Sequence, residues 1–162
     1  MMKLVATFFG VGYLKPAPGT WGSLAALPVA YGILSFGGFW FLLNVTVFVF
    51  MSGWIATQKV TQGQEDHDPS YIVIDEVVGQ WIALFPVGYG ALMMGVTVDV
   101  LWPGWIAAFV LFRVFDIWKP WLVGKADKRN DAFGVMMDDV FAGFFAAIGV
   151  IVLAAFWHLV LM

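Results

Sequence analysis

Apolar residues run almost without interruption along this chain, and the few polar breaks divide it into segments long enough to cross a membrane. No charged residue occurs between Lys15 and Lys59, a gap that accommodates two helical crossings at roughly 20 residues each. Gly37-Gly38 is the natural turn between them, which predicts a first span from Trp21 to Phe36 and a second from Phe39 to Gln58. A polar loop, Lys59 to Ser70, follows. A third apolar segment begins near Tyr71, continues past Trp81 and is broken by Pro86, Gly88 and Gly90; Ala91 to Val98 reads either as its extension or as a separate short piece. Asp99 to Gly104 reads as a turn, Trp105 to Trp118 as a fourth span, and Lys119 to Phe133 as the most hydrophilic loop. A fifth span begins near Gly134 and reaches the C-terminus. The expected fold is an all-α integral membrane bundle of about five spans, with four to six compatible, forming one domain over residues 1–162.

Composition sharpens this picture. Of 162 residues, 62% are hydrophobic and 12% charged, and the mean hydropathy is +0.88. Soluble domains carry about 25% charged residues, so this chain cannot cover a water-facing surface and most of its exterior must face lipid. There is no cysteine, which excludes disulfides and thiolate metal sites. A net charge of −3 argues against nucleic acid as a partner; oligomeric state is left open. Met1 to Leu14 superficially resembles a secretory leader, but no small-x-small site precedes Lys15-Pro16-Ala17-Pro18-Gly19, so the segment is expected to be retained at the interface. Lys3, Lys15, Lys59, Lys119, Lys125, Lys128 and Arg129 all fall in the N-terminal segment or the two polar loops, and the intervening turns carry no Lys or Arg. The positive-inside rule makes those loops and the N-terminus cytoplasmic.

That topology gathers acidic residues from three spans at one depth. Asp75 and Glu76 open the third span, Arg113 and Asp116 close the fourth, and Asp138 and Asp139 open the fifth, with His67 and Asp68 just before the third. An ionised side chain at a helix centre costs about 2.5–3.5 kcal/mol on insertion scales. Several carboxylates left bare at that depth would cost on the order of 10 kcal/mol. They must lie near the interface, pair with Arg113 or Lys119, or be neutralised by a cation. Two carboxylate pairs without cysteine form an all-oxygen site suited to Mg²⁺, Mn²⁺ or Ca²⁺, with Asp75, Glu76, Asp138 and Asp139 as candidate metal ligands. Arg113, Asp116 and Lys119 follow one another at helical spacing, and arginine's planar fork matches phosphate oxygens. Metal-bound carboxylates beside Arg and Lys suit phosphoryl chemistry. The glycines and hydroxyls of Pro18-Gly19-Thr20-Trp21-Gly22-Ser23 could offer anion contacts at a helix start, with Thr20 and Ser23 as candidates.

Blander readings exist for each feature. Either acidic pair alone is compatible with an ordinary acidic helix start, and Arg113 with Asp116 could be a simple intrahelical ion pair. The loop lysines serve as topology anchors, and His67 reads as a solvated loop histidine. The tryptophans, among them Trp54, Trp81, Trp102, Trp118 and Trp121, read mostly as interfacial belts. Ala142-Gly143 with Ala146-Ala147 reads as a close-packing face.

Four blocks, in order, resemble the phosphatidylglycerophosphatase A family. They are Pro18-Gly19-Thr20-Trp21-Gly22-Ser23-Leu24; His67-Asp68 with Ile72-Val73-Ile74-Asp75-Glu76-Val77-Val78-Gly79-Gln80-Trp81; Phe112-Arg113-Val114-Phe115-Asp116-Ile117-Trp118-Lys119-Pro120-Trp121; and Gly134-Val135-Met136-Met137-Asp138-Asp139-Val140-Phe141-Ala142-Gly143. The chain departs from the family at Leu122, where proline is common, and in a longer connection from Gly88 to Trp102. The resemblance implies a Mg²⁺-dependent, multi-pass enzyme of the bacterial inner membrane that hydrolyses phosphatidylglycerophosphate to phosphatidylglycerol and inorganic phosphate. Its site would face the cytoplasm, with the lipid's acyl chains remaining in the bilayer.

On this reading Asp75, Glu76, Asp138 and Asp139 hold one or two Mg²⁺ that activate water, while Arg113 and Lys119 offset phosphate charge. Asp116 orients Arg113 or ligates metal, and His67 is a candidate acid for the leaving group. An aspartyl-phosphate route would draw on the same residues, since Asp is a competent nucleophile. Two rivals stand beside this reading. A cation transporter also uses intramembrane carboxylates, but would carry them near mid-membrane. A lipid phosphotransferase also needs metal-bound aspartates, but its long spaced-aspartate motif is absent.

Overall fold

The computed structural model describes residues 1–64, 69–129 and 131–161, and these are helical with no strand among them. The helices are α1 (Met2–Ala6), α2 (Pro18–Thr61), α3 (Ile74–Ala83), α4 (Phe85–Met94), α5 (Trp102–Trp118), α6 (Leu122–Asp127) and α7 (Ala132–Phe156), the last continuing as a wider turn over Trp157–Leu161. Four segments among the described residues are long and apolar enough to cross a membrane: Pro18–Thr61, Ile74–Met94, Val98–Trp118 and Ala132–Leu159.

The first of these makes two crossings. Its 44 residues would extend about 66 Å if straight, twice a hydrocarbon core of about 30 Å. Helical geometry fails inside it at Gly38, whose φ of 69° and ψ of −167° lie in a region essentially reserved for glycine. Contacts on either side show the chain turning back. Gly22 abuts Val73 and Leu34 abuts Gly88, whereas Phe39 packs on Phe85 and Tyr89 and Gly53 abuts Ile74. Residues 22 and 53 therefore share one level and residues 34 and 39 the other. The bundle thus has five crossings, with the expected turn at Gly37-Gly38.

The third crossing consists of two helices meeting at Leu84. Pro86 lies in the first turn of α4, where its missing N–H interrupts no hydrogen bond. The ambiguous stretch after Gly90 is resolved: α4 runs to Met94 and stops at Gly95 in the left-handed conformation, and Val98–Leu101 forms a separate short turn. The turn expected to reach Gly104 is shorter, because α5 already begins at Trp102. The loop from Lys119 to Phe133 contains α6, a helix the polar composition conceals.

A backbone-to-backbone approach joins α3 to α7. A Cβ on Gly143 would lie 2.3 Å from the Gly79 carbonyl oxygen, and one on Gly79 would lie 2.6 Å from the Asp139 carbonyl oxygen and 2.4 Å from the Phe112 ring. No other side chain fits at either position, and this small-residue contact is the one expected of Ala142-Gly143 and Ala146-Ala147. It sets α3 and α7 side by side, the first turn of α3 level with Asp138 and Asp139 inside α7. Trp81 corrects the interfacial-belt expectation: it is 2% exposed and its indole N–H donates to the Ala26 carbonyl oxygen at 2.9 Å. Trp102, Trp118 and Trp121 do face outward, as do Phe36, Phe48, Ile106, Val110 and Ile151, consistent with a lipid-facing exterior.

Candidate active site

The contacts that set these helices also collect the polar residues at one end of the bundle. This end holds the start of α2, its C-terminus near Thr61, the starts of α3 and α7, and the end of α5. The N-terminal segment docks there too, the Val73 N–H donating to the Ala6 carbonyl oxygen at 2.9 Å.

Asp75 and Glu76 occupy the first turn of α3. Asp138 and Asp139 do not open α7. That helix is capped by Asp131, which accepts the Gly134 N–H at 2.6 Å, so the acidic pair lies well inside it. Asp138 and Asp139 are 5% and 3% exposed. The plain helix-start explanation, open for both pairs in the sequence, therefore fails for the second.

Asp75, Glu76 and Asp139 each present a carboxylate oxygen, and the three oxygens lie within 4.8 Å of one another. Asp116 adds a fourth carboxylate beside Glu76 and Asp139. Like charges so close repel strongly in an apolar surrounding. The one guanidinium at hand, Arg113, is already ion-paired with Asp116. Glu76 Oε2 and Asp139 Oδ1 are buried without a hydrogen-bond partner among the described residues. A divalent cation with oxygens at about 2.4 Å holds ligand atoms up to about 4.8 Å apart, the limit within which these three lie. The donor set, all oxygen and anionic, fits Mg²⁺, Mn²⁺ or Ca²⁺.

Asp138, adjacent to Asp139 but turned about 100° around the helix, serves a different partner. It accepts from Lys119 Nζ at 3.0 Å, and Lys119 also pairs with Asp127. Lys119 is not on the α5 face with Arg113 and Asp116: it caps that helix in the left-handed conformation, φ 48°, which turns its side chain toward α6 and α7. Burial lowers the Lys119 pKa, but the pairs with Asp127 and Asp138 outweigh it and hold the ammonium above its ordinary value. Asp127 was not among the sequence candidates, being hidden in a basic loop.

Arg113 reaches the start of α2. Its Nη1 donates to Ser23 Oγ at 3.4 Å, Ser23 donates in turn to the Gly19 carbonyl oxygen, and Arg113 Nε has no partner among the described residues. Gly19 faces the site: a Cβ there would lie 2.2 Å from Glu76 Oε1. Thr20 is half-buried at the same end. His67 lies outside the described residues. On the outer face of α5, Phe109, Val110, Arg113, Val114, Ile117 and Trp118 line an open cavity of about 630 Å³. Two further groups had no signal in the sequence beyond their polarity. Gln80 and the Thr57 hydroxyl are fully buried and without partners among the described residues.

Comparison with known proteins supplies an independent line. A family model described as phosphatidylglycerophosphatase A matches residues 4–154. A Haemophilus influenzae protein named phosphatidylglycerophosphatase A is 38% identical over 98% of this chain and 91% of its own length. An Escherichia coli protein of the same name is 35% identical over 89% of this chain and 78% of its own length. A Bacteroides thetaiotaomicron protein, provisionally named phosphatidylinositol-3-phosphatase, is 38% identical over 90% of this chain and 88% of its own length. No solved structure matches.

The carboxylate geometry has a consequence measurable without turnover. Mn²⁺ or Mg²⁺ at about 100 times its dissociation constant should stabilise the purified protein by about 2.7 kcal/mol, raising its unfolding temperature by roughly 5–10 °C, and a chelator should reverse this. Asp139→Asn and Glu76→Gln should each raise the ion-free unfolding temperature by relieving repulsion, and should blunt the response to the ion. An equal response in parent and both variants would contradict the assignment.

Proposed function

Because the chain belongs to the phosphatidylglycerophosphatase A family, we propose that it hydrolyses the terminal phosphomonoester of phosphatidylglycerophosphate, releasing phosphatidylglycerol and inorganic phosphate. One observation carries the chemistry: three carboxylates, two on buried residues and one on a half-buried residue, converge beside an arginine whose Nε–H has no partner among the described residues. Asp75, Glu76 and Asp139 would hold Mg²⁺, with Asp138 completing the acidic wall through Lys119. When bound, the ion offsets carboxylate charge and polarises the phosphate and an attacking water.

The chain's own residues do the rest. Arg113 binds phosphate oxygens through its free edge, while Asp116 and Ser23 fix the guanidinium plane. Lys119 adds positive charge at the mouth, where phosphate is to be neutralised. Gly19 leaves room beside Glu76 that a side chain would fill. Water oxygen adds to phosphorus, the bond from phosphorus to the glycerol oxygen breaks, and a proton passes to that oxygen. The cavity on α5, apolar except for Arg113, offers the acyl chains a path in the lipid phase while the phosphate reaches the site. The transporter reading is disfavoured because the opposite half of every crossing is uncharged, Asp99 lying in a turn.

We also propose that this end of the bundle faces the cytoplasm of a bacterial inner membrane, since Lys3, Lys15, Lys59, Lys125, Lys128 and Arg129 flank it. The chain has no native cysteine, so single cysteines report its orientation directly. An impermeant thiol reagent added to intact cells should label Gly104→Cys and spare Lys128→Cys; the reverse pattern would invert the topology.

Turnover tests the rest. Purified protein should release phosphate from phosphatidylglycerophosphate only with Mg²⁺ present, and Asp75→Asn should abolish release while remaining folded. Arg113→Lys keeps the charge but loses the planar fork, so the rate should fall by about 100-fold, the scale of losing one transition-state donor, with half-saturating Mg²⁺ unchanged. A normal rate in Arg113→Lys would remove that residue from the phosphate seat. Faster release from a lipid bearing an inositol 3-phosphate headgroup would overturn the substrate assignment but keep the reaction class.

A further inference from the structure

Gln80 takes no part in the chemistry above, yet its position is hard to explain as packing. It is fully buried, and neither its amide nitrogen nor its amide oxygen has a partner among the described residues. A buried polar group left unpaired forfeits its hydration without compensation and destabilises the fold. Its neighbours along α3, Val77, Val78 and Trp81, are themselves buried and apolar, so a leucine or methionine would avoid that cost. Buried amides are ordinarily satisfied; one with both ends open points to a group that arrives from elsewhere.

Position and chemistry narrow what that group is. Gln80 follows Glu76 at i, i+4 on α3, so the two share one face, and Gln80 lies about 6 Å farther from the acidic end, roughly one helical turn inward. The face is the one on which Glu76 meets Gly19 and Arg113. An amide with both ends open must donate through Nε2 and accept at Oε1. Phosphate oxygens and ester carbonyls only accept, and a cation would satisfy Oε1 alone. A hydroxyl both donates and accepts. In the proposed substrate, one free hydroxyl stands on the carbon next to the one carrying the scissile phosphate.

We propose that Gln80 is a specificity-determining residue whose side-chain amide exchanges hydrogen bonds with the free hydroxyl of the glycerol bearing the scissile phosphate. The site then selects phosphomonoesters of hydroxylated alcohols over those lacking the neighbouring hydroxyl. This rests on the phosphatase reading given above. A site built to hydrogen-bond a hydroxyl rejects the analogue lacking it, because its own buried polar atoms are then left unpaired.

The test compares phosphatidylglycerophosphate with the same lipid carrying propane-1,3-diol phosphate in place of glycerol phosphate. The parent should hydrolyse the hydroxylated lipid with a kcat/KM about tenfold or more higher, two neutral hydrogen bonds being at stake. Gln80→Met, similar in length but without hydrogen-bonding ends, should bring the ratio to within about twofold of unity, chiefly by losing rate on the hydroxylated lipid. An equal loss on both lipids would mark Gln80 as structural and overturn the proposal. A parent ratio near unity would overturn it as well, leaving a buried water as the amide's partner, and that arm needs no variant to fold. Failure of the parent to hydrolyse either lipid would instead sink the phosphatase reading, so the two failures are distinguishable.

Discussion

Carboxylates that repel one another can sit side by side in an apolar bundle only where a positive charge offsets them, and that constraint organises this molecule. Asp75, Glu76 and Asp139 crowd their oxygens within 4.8 Å of each other, while Asp116 consumes the charge of Arg113 and Asp138 shares that of Lys119. What remains is a triad of acidic groups short of positive charge in a lipid-facing protein. Such an arrangement is unfavourable alone and favourable with a hard cation bound. The polar end of the bundle therefore makes energetic sense as a binding site rather than as a surface.

The backbone geometry that permits this crowding is supplied by small residues. Gly79 and Gly143 let α3 and α7 approach until their backbones touch, which levels the acidic turns of two helices far apart in sequence. Gly19 performs the same service where α2 begins, against the Glu76 carboxylate. A methyl group at any of these three positions would push the carboxylates or Arg113 apart, so catalytic geometry and helix packing depend on the same atoms.

Much of this was legible in the sequence because its signals are coarse. Charge-free stretches mark crossings, Gly37-Gly38 marks a reversal, and acidic pairs at span ends mark a shared depth. What escaped depends on direction around a helix axis. Adjacent residues such as Asp138 and Asp139 point about 100° apart, and no spacing rule tells which meets Lys119 and which meets Asp75 and Glu76. Trp81 has the composition of an interfacial residue, yet it is buried against Ala26, because an indole satisfies its N–H equally well on a carbonyl as in the headgroup region. Lys119 follows α5 at helical spacing but leaves the helix by adopting a left-handed cap. Its pairing with Asp127 across the short α6 followed from that single backbone angle.

The most direct measurement of the cluster's role is the position of a bound ion. Crystals of the purified protein grown with Mn²⁺ should show one anomalous-scattering peak within about 2.0–2.4 Å of a carboxylate oxygen from each of Asp75, Glu76 and Asp139. No peak at that triad under saturating Mn²⁺, or a peak confined to the exposed carboxylates of Asp127 and Asp131, would contradict the account.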